Sequence, residues 1–396
     1  MTEDGPRQGD GEPSTRIRAI DATRGTAMLF VCLSHFGAAY LRPNHALTSA
    51  WLVYHATMIA TPTFIIVSGM TLGLLHRTHR ETFGSIQVKL IDKGLFLLTA
   101  GRLFILVAHV PFAGGLQAAL RCGFVTDVIG VSVVVGSLLI PRLGAIARIG
   151  LGAGAYVLAW AMVLFWHPHA LGWRLLRTAL AGELDRFDAH VYTYVFPLLP
   201  WLGVYLCSTC LGERLAGQAS SREGHAARSF LRLGALSMAL GVAAKIGLVL
   251  FRGGGLASDS DLPWELLLEP GRKLPPAPAY LAFYGGAGLL LTGLLFLEWR
   301  WRPMVWLLGL TTRIGQTSLF VFILQYFVYY SFFPLAALSY RAFWPAYFFL
   351  SLVFVILVDL SWHRHGLNRL LTVRPVLSLE RFLPRGERRP ASLPRS

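Results

Sequence analysis

From residue 20 onward, long apolar stretches alternate with short polar segments that are rich in arginine. Each apolar stretch is about 20 residues long, enough for a helix to cross a hydrocarbon core about 30 Å thick. Within lipid, a helix satisfies its own backbone hydrogen bonds. The pattern therefore predicts ten membrane-spanning helices, over residues 20–41, 51–75, 93–111, 122–140, 147–166, 192–212, 231–251, 277–297, 304–333 and 343–361.

The predicted fold is an all-α, polytopic transmembrane helical bundle that occupies residues 19–361. A polar segment of mixed charge, 1–18, precedes it, and an Arg- and Pro-rich tail, 362–396, follows it. Both flanking segments are expected to be disordered. The ninth stretch is unusually long, so we expect it to tilt or to break near Pro334.

Composition supports a membrane location, because 54% of the residues are hydrophobic and only 14% are charged. Soluble domains carry about 25% charged residues. The net charge of +15 lies in short loops and in the tail, which is typical of membrane topology rather than of nucleic-acid binding. If the N-terminus is cytoplasmic, the inner segments hold more than twice as many Lys and Arg residues as the outer loops. This bias predicts that both termini are cytoplasmic.

The first predicted helix carries the most informative polar residues. Asp21 and Arg24 are three positions apart and share a helix face, where they can pair. Arg24 and His35 are eleven positions apart, which places them on one side of the helix, about 16 Å apart along its axis. An arginine at the cytoplasmic end suits the phosphate of an acyl donor, and a buried histidine suits a general base. The alternative is that Arg24 reaches lipid phosphate and His35 is a packing residue.

Other ionisable residues lie inside predicted spans, where they are costly and are candidates for function. His55, His109 and Asp127 are expected near the outer face, at depths similar to that of His35. An Asp makes a neighbouring His more basic, so Asp127 is a candidate catalytic residue. Arg102 and Arg313 are candidates for contact with a donor phosphate. Each of these residues could instead make an ordinary contact between helices.

Lys273 precedes Pro275 and Pro276, residues that fit the first turn of a helix. Because the N-terminus of a helix attracts anions, Lys273 is a candidate for binding a donor phosphate or an acidic acceptor. The alternative is a positive charge at the lipid interface.

The string R-x10-H on the first helix resembles the acyltransferase 3 family. The longer string IDATRGTAMLFVCLSHF more closely resembles the heparan-alpha-glucosaminide N-acetyltransferase catalytic-domain family. Four further segments resemble that family in the same order, over about residues 16–330: TPTFIIVSGMTLG, FPLLPWLGVYLCSTCLG, KLPPAPAYLAFYGGAG and LGLTTRIGQTSLFVFILQYFV. The resemblance implies transfer of an acyl group, most simply acetyl, from acetyl-CoA, and it supports catalytic roles for Arg24 and His35.

Two positions depart from the family pattern. Related sequences usually have a histidine where Gln325 stands, and glutamine cannot take a proton at neutral pH. The lysosomal members carry an essential histidine in the outer loop after the first helix, and His45 lies near that place in a loosely matching context. The resemblance thus implies His45 as a second catalytic candidate and leaves Gln325 as a substrate-contacting residue, with His55 and His109.

We therefore expect an integral membrane acyltransferase of the bacterial cytoplasmic membrane, with lipid, acyl-CoA and a sugar-like acceptor on the outer side as its partners. No metal and no nucleic acid are expected. Direct transfer and an acyl-His relay both remain open, as does the oligomeric state, a homodimer included. The competing interpretations are a transporter or flippase of a polar substrate, and a relative without catalytic activity.

Overall fold

The computed structural model describes residues 17–41, 47–183, 194–218, 223–251, 265–297, 299, 301–332 and 344–372. Apart from one two-residue strand pair, the regular structure in these ranges is helical. The helices are α1 (Arg18–Tyr40), α2 (Leu47–Thr57), α3 (Ala60–Thr78), α4 (Phe83–Phe96), α5 (Arg102–Ala113), α6 (Leu116–Leu120), α7 (Val125–Leu139), α8 (Ala145–Phe165), α9 (Leu171–Ala181), α10 (Leu198–Gln218), α11 (Glu223–Phe251), α12 (Pro278–Tyr280), α13 (Gly286–Leu295), α14 (Arg302–Gln316), α15 (Ser318–Tyr326) and α16 (Trp344–Arg364).

Shorter elements connect or extend these helices. Strands β1 (Cys122–Gly123) and β2 (Tyr194–Val195) pair in parallel and join the entrances of α7 and α10. Three π-helical turns, Leu97–Gly101, Leu281–Gly285 and Phe327–Phe332, continue α4, α12 and α15. Two single turns of 3-10 helix cover Glu265–Leu268 and Leu367–Leu370.

Within the described ranges, six helices are long and apolar enough to cross a membrane, or seven if one bent pair counts as a single span. The bent pair is Arg302–Gln316 with Ser318–Phe332, whose axes differ by 80°. The predicted ninth span therefore bends at Thr317, whereas Pro334, the expected position, lies outside the described residues. Each of the ten predicted spans overlaps a helix, but the count of ten and the side of the termini stay predictions.

Contacts between packed helices show which pairs run antiparallel and which run parallel. Gln87 of α4 donates to the Ser137 carbonyl of α7 at 2.8 Å, and Gly94, further along α4, faces Gly130, earlier in α7. Helices α8 and α10 are likewise antiparallel, because the carbonyl oxygens of Ala145 and Ile149 lie against the Cys210 and Cys207 sulfurs. Helices α3 and α10 run parallel, since Gly69 meets Tyr205 and Gly73 meets Thr209.

Glycines bring two helix pairs into backbone contact. A Cβ added at Gly25 of α1 would lie 1.8 Å from the Thr311 carbonyl oxygen of α14, and one at Gly315 would lie 1.8 Å from the Asp21 carbonyl oxygen. Gly73 and Gly212 play the same part between α3 and α10, at 1.9 Å. Small residues allow this close approach of helix backbones in membranes. As a result α1, the helix with the candidate residues Arg24 and His35, is held firmly against α14.

Candidate active site

His35 lies on α1 and faces α15. Its Nδ1 is 2.6 Å from Oε1 of Gln325, and Gln325 is completely buried. The Gln325 Nε2 in turn donates to the Phe322 carbonyl oxygen at 3.0 Å. The His35 ring is only half-buried, and its ring centroid lies 4.8 Å from that of Tyr326 and 5.2 Å from that of Tyr330. His35 is thus hydrogen-bonded along one edge and surrounded by aromatic rings elsewhere.

His109 of α5 approaches the same two tyrosines from the other side. Its ring centroid is 4.9 Å from that of Tyr330 and 6.2 Å from that of Tyr326, and Phe124 contributes a third ring at 5.4 Å. The His109 Nδ1 is buried and has no hydrogen-bond partner among the described residues. The structure therefore brings together two predicted histidines around Tyr326 and Tyr330, a pair that the sequence analysis did not single out.

Arg102 and Asp127 form an ion pair with each other. The Asp127 Oδ2 also accepts from the Phe124 backbone N–H at 2.9 Å and so caps the first turn of α7, where an acidic residue is favoured. Arg102 Nη2 donates to the Cys122 carbonyl oxygen at 3.3 Å. The sequence predicted that Arg102 binds a donor phosphate and that Asp127 lies beside a histidine. In the described residues no hydrogen bond or ion pair joins Asp127 to a histidine, and its ionic partner is Arg102.

Arg24 has polar partners on both α1 and α3. Its Nη1 lies 3.6 Å from the Asp21 carboxylate, which is the pairing that the three-residue spacing predicted. Its Nη2 donates to the Thr71 hydroxyl of α3 at 2.6 Å. Arg24 and His35 therefore occupy one helix but contact different neighbours, α3 for the former and α15 for the latter.

A buried charged cluster that the sequence analysis missed lies at the end of α3. Arg148 of α8, only 1% exposed, pairs with Glu213 of α10 and donates to the Thr209 hydroxyl at 3.0 Å. His76 of α3 contacts the other Glu213 carboxylate oxygen at 2.9 Å. Because these residues are far apart in sequence, no local spacing could have revealed the cluster. It ties three helices together at the end of α3 that follows Thr71.

Lys273 lies on the loop that leads into α12, with its ammonium 5.2 Å from the centre of the Phe196 ring. Burial lowers the pKa of Lys273 to about 8, because an ammonium is poorly solvated there. Lys273 and His109 both lie near enough to His35 to interact with it electrostatically. A positive charge thus stands at the margin of the histidine and tyrosine site.

Of the remaining predicted residues, His55 and Arg313 make no hydrogen bond or ring contact with His35 in the described part of the chain. His55 of α2 has its Nδ1 3.2 Å from the Tyr284 hydroxyl. Arg313 is exposed and lies between Thr311 and Gly315 on α14, which both contact α1, so its side chain projects away from α1. His45 lies outside the described residues. Within the described ranges, no group of three His, Cys, Asp or Glu side chains is arranged to hold a metal ion.

Comparison with known proteins identifies the family of the chain. Neither the curated proteins nor the solved structures give a match to the chain. A family model described as "Heparan-alpha-glucosaminide N-acetyltransferase, catalytic" matches residues 16–244. That range includes Arg24, His35 and His109, whereas Lys273 and Gln325 lie beyond it. The chain therefore belongs to the heparan-alpha-glucosaminide N-acetyltransferase catalytic-domain family, whose members are membrane acetyltransferases.

Proposed function

We propose that the protein transfers an acetyl group from cytoplasmic acetyl-CoA to an amino sugar or a sugar hydroxyl on the outer side of a bacterial cytoplasmic membrane. The observation that carries the proposal is the setting of His35, which is hydrogen-bonded to a buried Gln325 and adjoins Tyr326, Tyr330 and His109. An ionisable residue in such a setting inside a membrane protein is costly, and a catalytic role accounts for that cost.

Arg24 is the proposed contact for a donor phosphate. A guanidinium stays charged and binds phosphate oxygens with two parallel hydrogen bonds. The eleven residues between Arg24 and His35 correspond to about 16 Å along a helix. The extended pantetheine arm of CoA separates its phosphates from its thioester by a distance of that order. One donor molecule along α1 would therefore place its thioester at His35 when its phosphates are at Arg24.

The proposed step is a direct acyl transfer with His35 as general base. The acceptor nitrogen or oxygen attacks the thioester carbonyl carbon, and His35 Nε2 takes the proton that the acceptor loses. The carbon–sulfur bond then breaks, the acetyl group stays on the acceptor, and the CoA thiolate receives the proton from His35. General-base assistance of this kind is typically worth about 10² to 10⁴ in rate.

Aromatic rings and His109 form the proposed acceptor site. Apolar faces of a sugar ring pack against aromatic side chains, and tyrosine hydroxyls offer hydrogen bonds to its polar edge. The unpartnered Nδ1 of His109 provides a further hydrogen-bonding position beside Tyr330. Lys273, at the margin of the site, suits an anionic group of the acceptor or of the donor. His55 with Tyr284 is the second proposed contact for the acceptor.

One set of variants tests donor binding and chemistry separately in purified protein reconstituted into nanodiscs. We expect Arg24→Ala and Arg24→Lys to weaken acetyl-CoA binding, because neither reproduces the two-pronged phosphate contact. We expect His35→Ala to bind acetyl-CoA nearly normally but to lose about 10² to 10⁴ in transfer to amino sugars. His225→Ala, an exposed histidine on α11, is the matched control and should behave as wild type.

The outcomes separate the competing interpretations. Full transfer by His35→Ala would move the base to His45, His55 or His109. An acetyl adduct that forms on the protein and disappears in His45→Ala would establish the relay in place of direct transfer. If the wild type binds a sugar but releases no CoA with any acceptor, the acyltransferase proposal fails and a transporter becomes the better interpretation.

A further inference from the structure

The neighbours of Gln325 fix the direction in which its side-chain amide points. The amide lies between the Phe322 carbonyl oxygen, 3.0 Å from Nε2, and the His35 Nδ1, 2.6 Å from Oε1. Rotating the amide by half a turn would set Oε1 against the Phe322 carbonyl oxygen, so that two acceptors would face each other. In a completely buried position no water offsets that repulsion. The amide therefore presents its oxygen, and not its nitrogen, to His35.

An oxygen facing Nδ1 requires that His35 carry its proton there. A neutral imidazole has one N–H donor and one acceptor nitrogen. With Nδ1–H donating to Gln325, the lone pair lies on Nε2, at the opposite edge of the ring. This is the nitrogen that faces away from Gln325 and that can accept a proton from a substrate.

We propose that Gln325 is a positioning residue that holds His35 in the Nδ1–H tautomer, so that Nε2 serves as the basic nitrogen. The catalytic role of Nε2 rests on the proposed function, whereas the tautomer of His35 follows from the Gln325 contacts alone. Partners that hold the second nitrogen of a functional histidine commonly set its tautomer and ring orientation. Related sequences usually have a histidine at the position of Gln325. With glutamine there, the site lacks a second ionisable group, but His35 keeps its orientation.

A neutral amide also differs from a carboxylate in what it does after proton transfer. A carboxylate would stabilise the imidazolium as an ion pair, whereas the amide offers only a neutral acceptor. The amide thus raises the basicity of His35 less than a carboxylate would, so that His35 returns its proton more readily to the departing thiolate. Gln325→Glu converts the partner into a carboxylate while keeping an acceptor oxygen. The acidic limb of the pH–rate profile should then move to higher pH, by about one unit or more.

The direct test is nuclear magnetic resonance of protein labelled with ¹⁵N-histidine in nanodiscs, with the His35 signals assigned from His35→Ala. In the wild type at neutral pH we expect Nδ1 to be protonated and Nε2 not. Gln325→Leu should lose this preference, because no acceptor remains, and Gln325→Glu should keep it. Turnover of Gln325→Leu should fall about 10- to 100-fold, as when other orienting partners of functional histidines are removed, with acetyl-CoA affinity unchanged.

Ser331→Ala is the matched control, since it removes a 2.8 Å hydrogen bond to the Ala108 carbonyl oxygen from the turn that follows α15. It should change neither the His35 tautomer nor turnover. A wild-type His35 that is protonated at Nε2 overturns the inference even if every variant misfolds, and so does an unchanged tautomer in Gln325→Leu. Failure of the wild type to transfer acetyl groups, with the tautomer as expected, would instead overturn the proposed function.

Discussion

Lys273 is a cation in unusual surroundings. Its ammonium rests on the Phe196 ring, and among the described residues no carboxylate pairs with it. Burial lowers its pKa from the ordinary 10.5 to about 8. The lysine is thus charged below pH 8 and becomes neutral in the folded protein as the pH rises past 8, while an unfolded chain keeps the proton until about pH 10.5. Between these values the loss of the buried charge makes stability rise with pH.

The affinity for an anionic ligand should fall as the pH rises, whereas the stability rises. If the Lys273 ammonium binds an anionic group, affinity should be constant below pH 8 and fall about tenfold by pH 9, because the ammonium loses its proton. Titrations with acetyl-CoA and with a carboxylate-bearing amino sugar at pH 7 and pH 9 identify which ligand responds. Lys273→Arg should bind equally at both pH values, and Lys273→Met weakly at both. A pH-independent affinity of the wild type for both ligands would remove Lys273 from the site.

Single residues were predictable from sequence only where the partners are close in the chain. The Asp21–Arg24 pair follows from helix geometry, because positions three apart lie on one face. The contact of His35 with Gln325 joins positions 290 apart and depends on the bend at Thr317. Arg102 and Asp127 were recognised as costly charges but given separate roles, since spacing does not show that α5 and α7 bring them together.

At the scale of elements, the crossing of α1 and α14 determines where Arg24 stands. Gly25 and Gly315 let the two backbones touch, and Arg24 directly precedes Gly25. The sequence predicted both helices but not their crossing, because the sequence of one helix does not show which other helix packs against it. The bend at Thr317 then turns α15 so that Gln325 and Tyr326 reach the C-terminal half of α1.

Adding one methyl group at this crossing should force the helices apart. Gly25→Ala places a Cβ 1.8 Å from the Thr311 carbonyl oxygen, a backbone atom that cannot rotate away. Overpacking typically costs about 1–3 kcal/mol, more than the roughly 1 kcal/mol that alanine gains over glycine in a helix. Thermal unfolding in detergent should show a lower Tm and weaker acetyl-CoA binding.

Gly154→Ala on α8 is the matched control, because a Cβ there meets no atom within 4 Å. It should leave binding unchanged and keep or raise the Tm, by the gain in helix propensity alone. Equal Tm values for the two variants would show that α1 and α14 do not touch at Gly25.

Three π-helical turns stand beside residues of the candidate site. Arg102 begins the helix after Leu97–Gly101, Tyr284 lies within Leu281–Gly285, and Tyr330 lies within Phe327–Phe332. Such turns are rare and frequently occur at functional sites. Hydrophobic periodicity does not reveal these turns, because one extra residue in a turn does not change the hydrophobicity of an apolar segment. They rotate the following side chains into positions that a regular helix would not give.

At the scale of the whole molecule, the alternating helix directions fix which ends lie together. The ends of α3 and α10 and the start of α8 share one side, which the excess of Lys and Arg in its loops predicts to be cytoplasmic. The start of α9 then lies on the opposite side, after the end of α8. Span length predicts the alternation from sequence, because it acts independently of how the helices pack, whereas the side assigned from the charge bias stays a prediction.

Cysteine labelling in intact cells tests this orientation. In a variant without Cys32, Cys122, Cys207 and Cys210, we expect a membrane-impermeant maleimide to label Leu171→Cys, because that position on α9 is 59% exposed and is predicted to face outward. Arg80→Cys, in the exposed turn after α3, should react only once the membrane is permeabilised. The reverse pattern would invert the molecule and place Arg24 on the outer side, away from cytoplasmic acetyl-CoA.

The cluster of Arg148, Glu213 and His76 constrains how the protein can change over evolutionary time. Replacing Glu213 leaves the buried Arg148 without its carboxylate, and replacing Arg148 leaves Glu213 without its cation, which is strongly destabilising. Replacement of the whole set by apolar residues avoids that cost. We therefore expect Arg148 and Glu213, on two separate helices and far apart in the chain, to change together in related proteins, and His76 to change more freely.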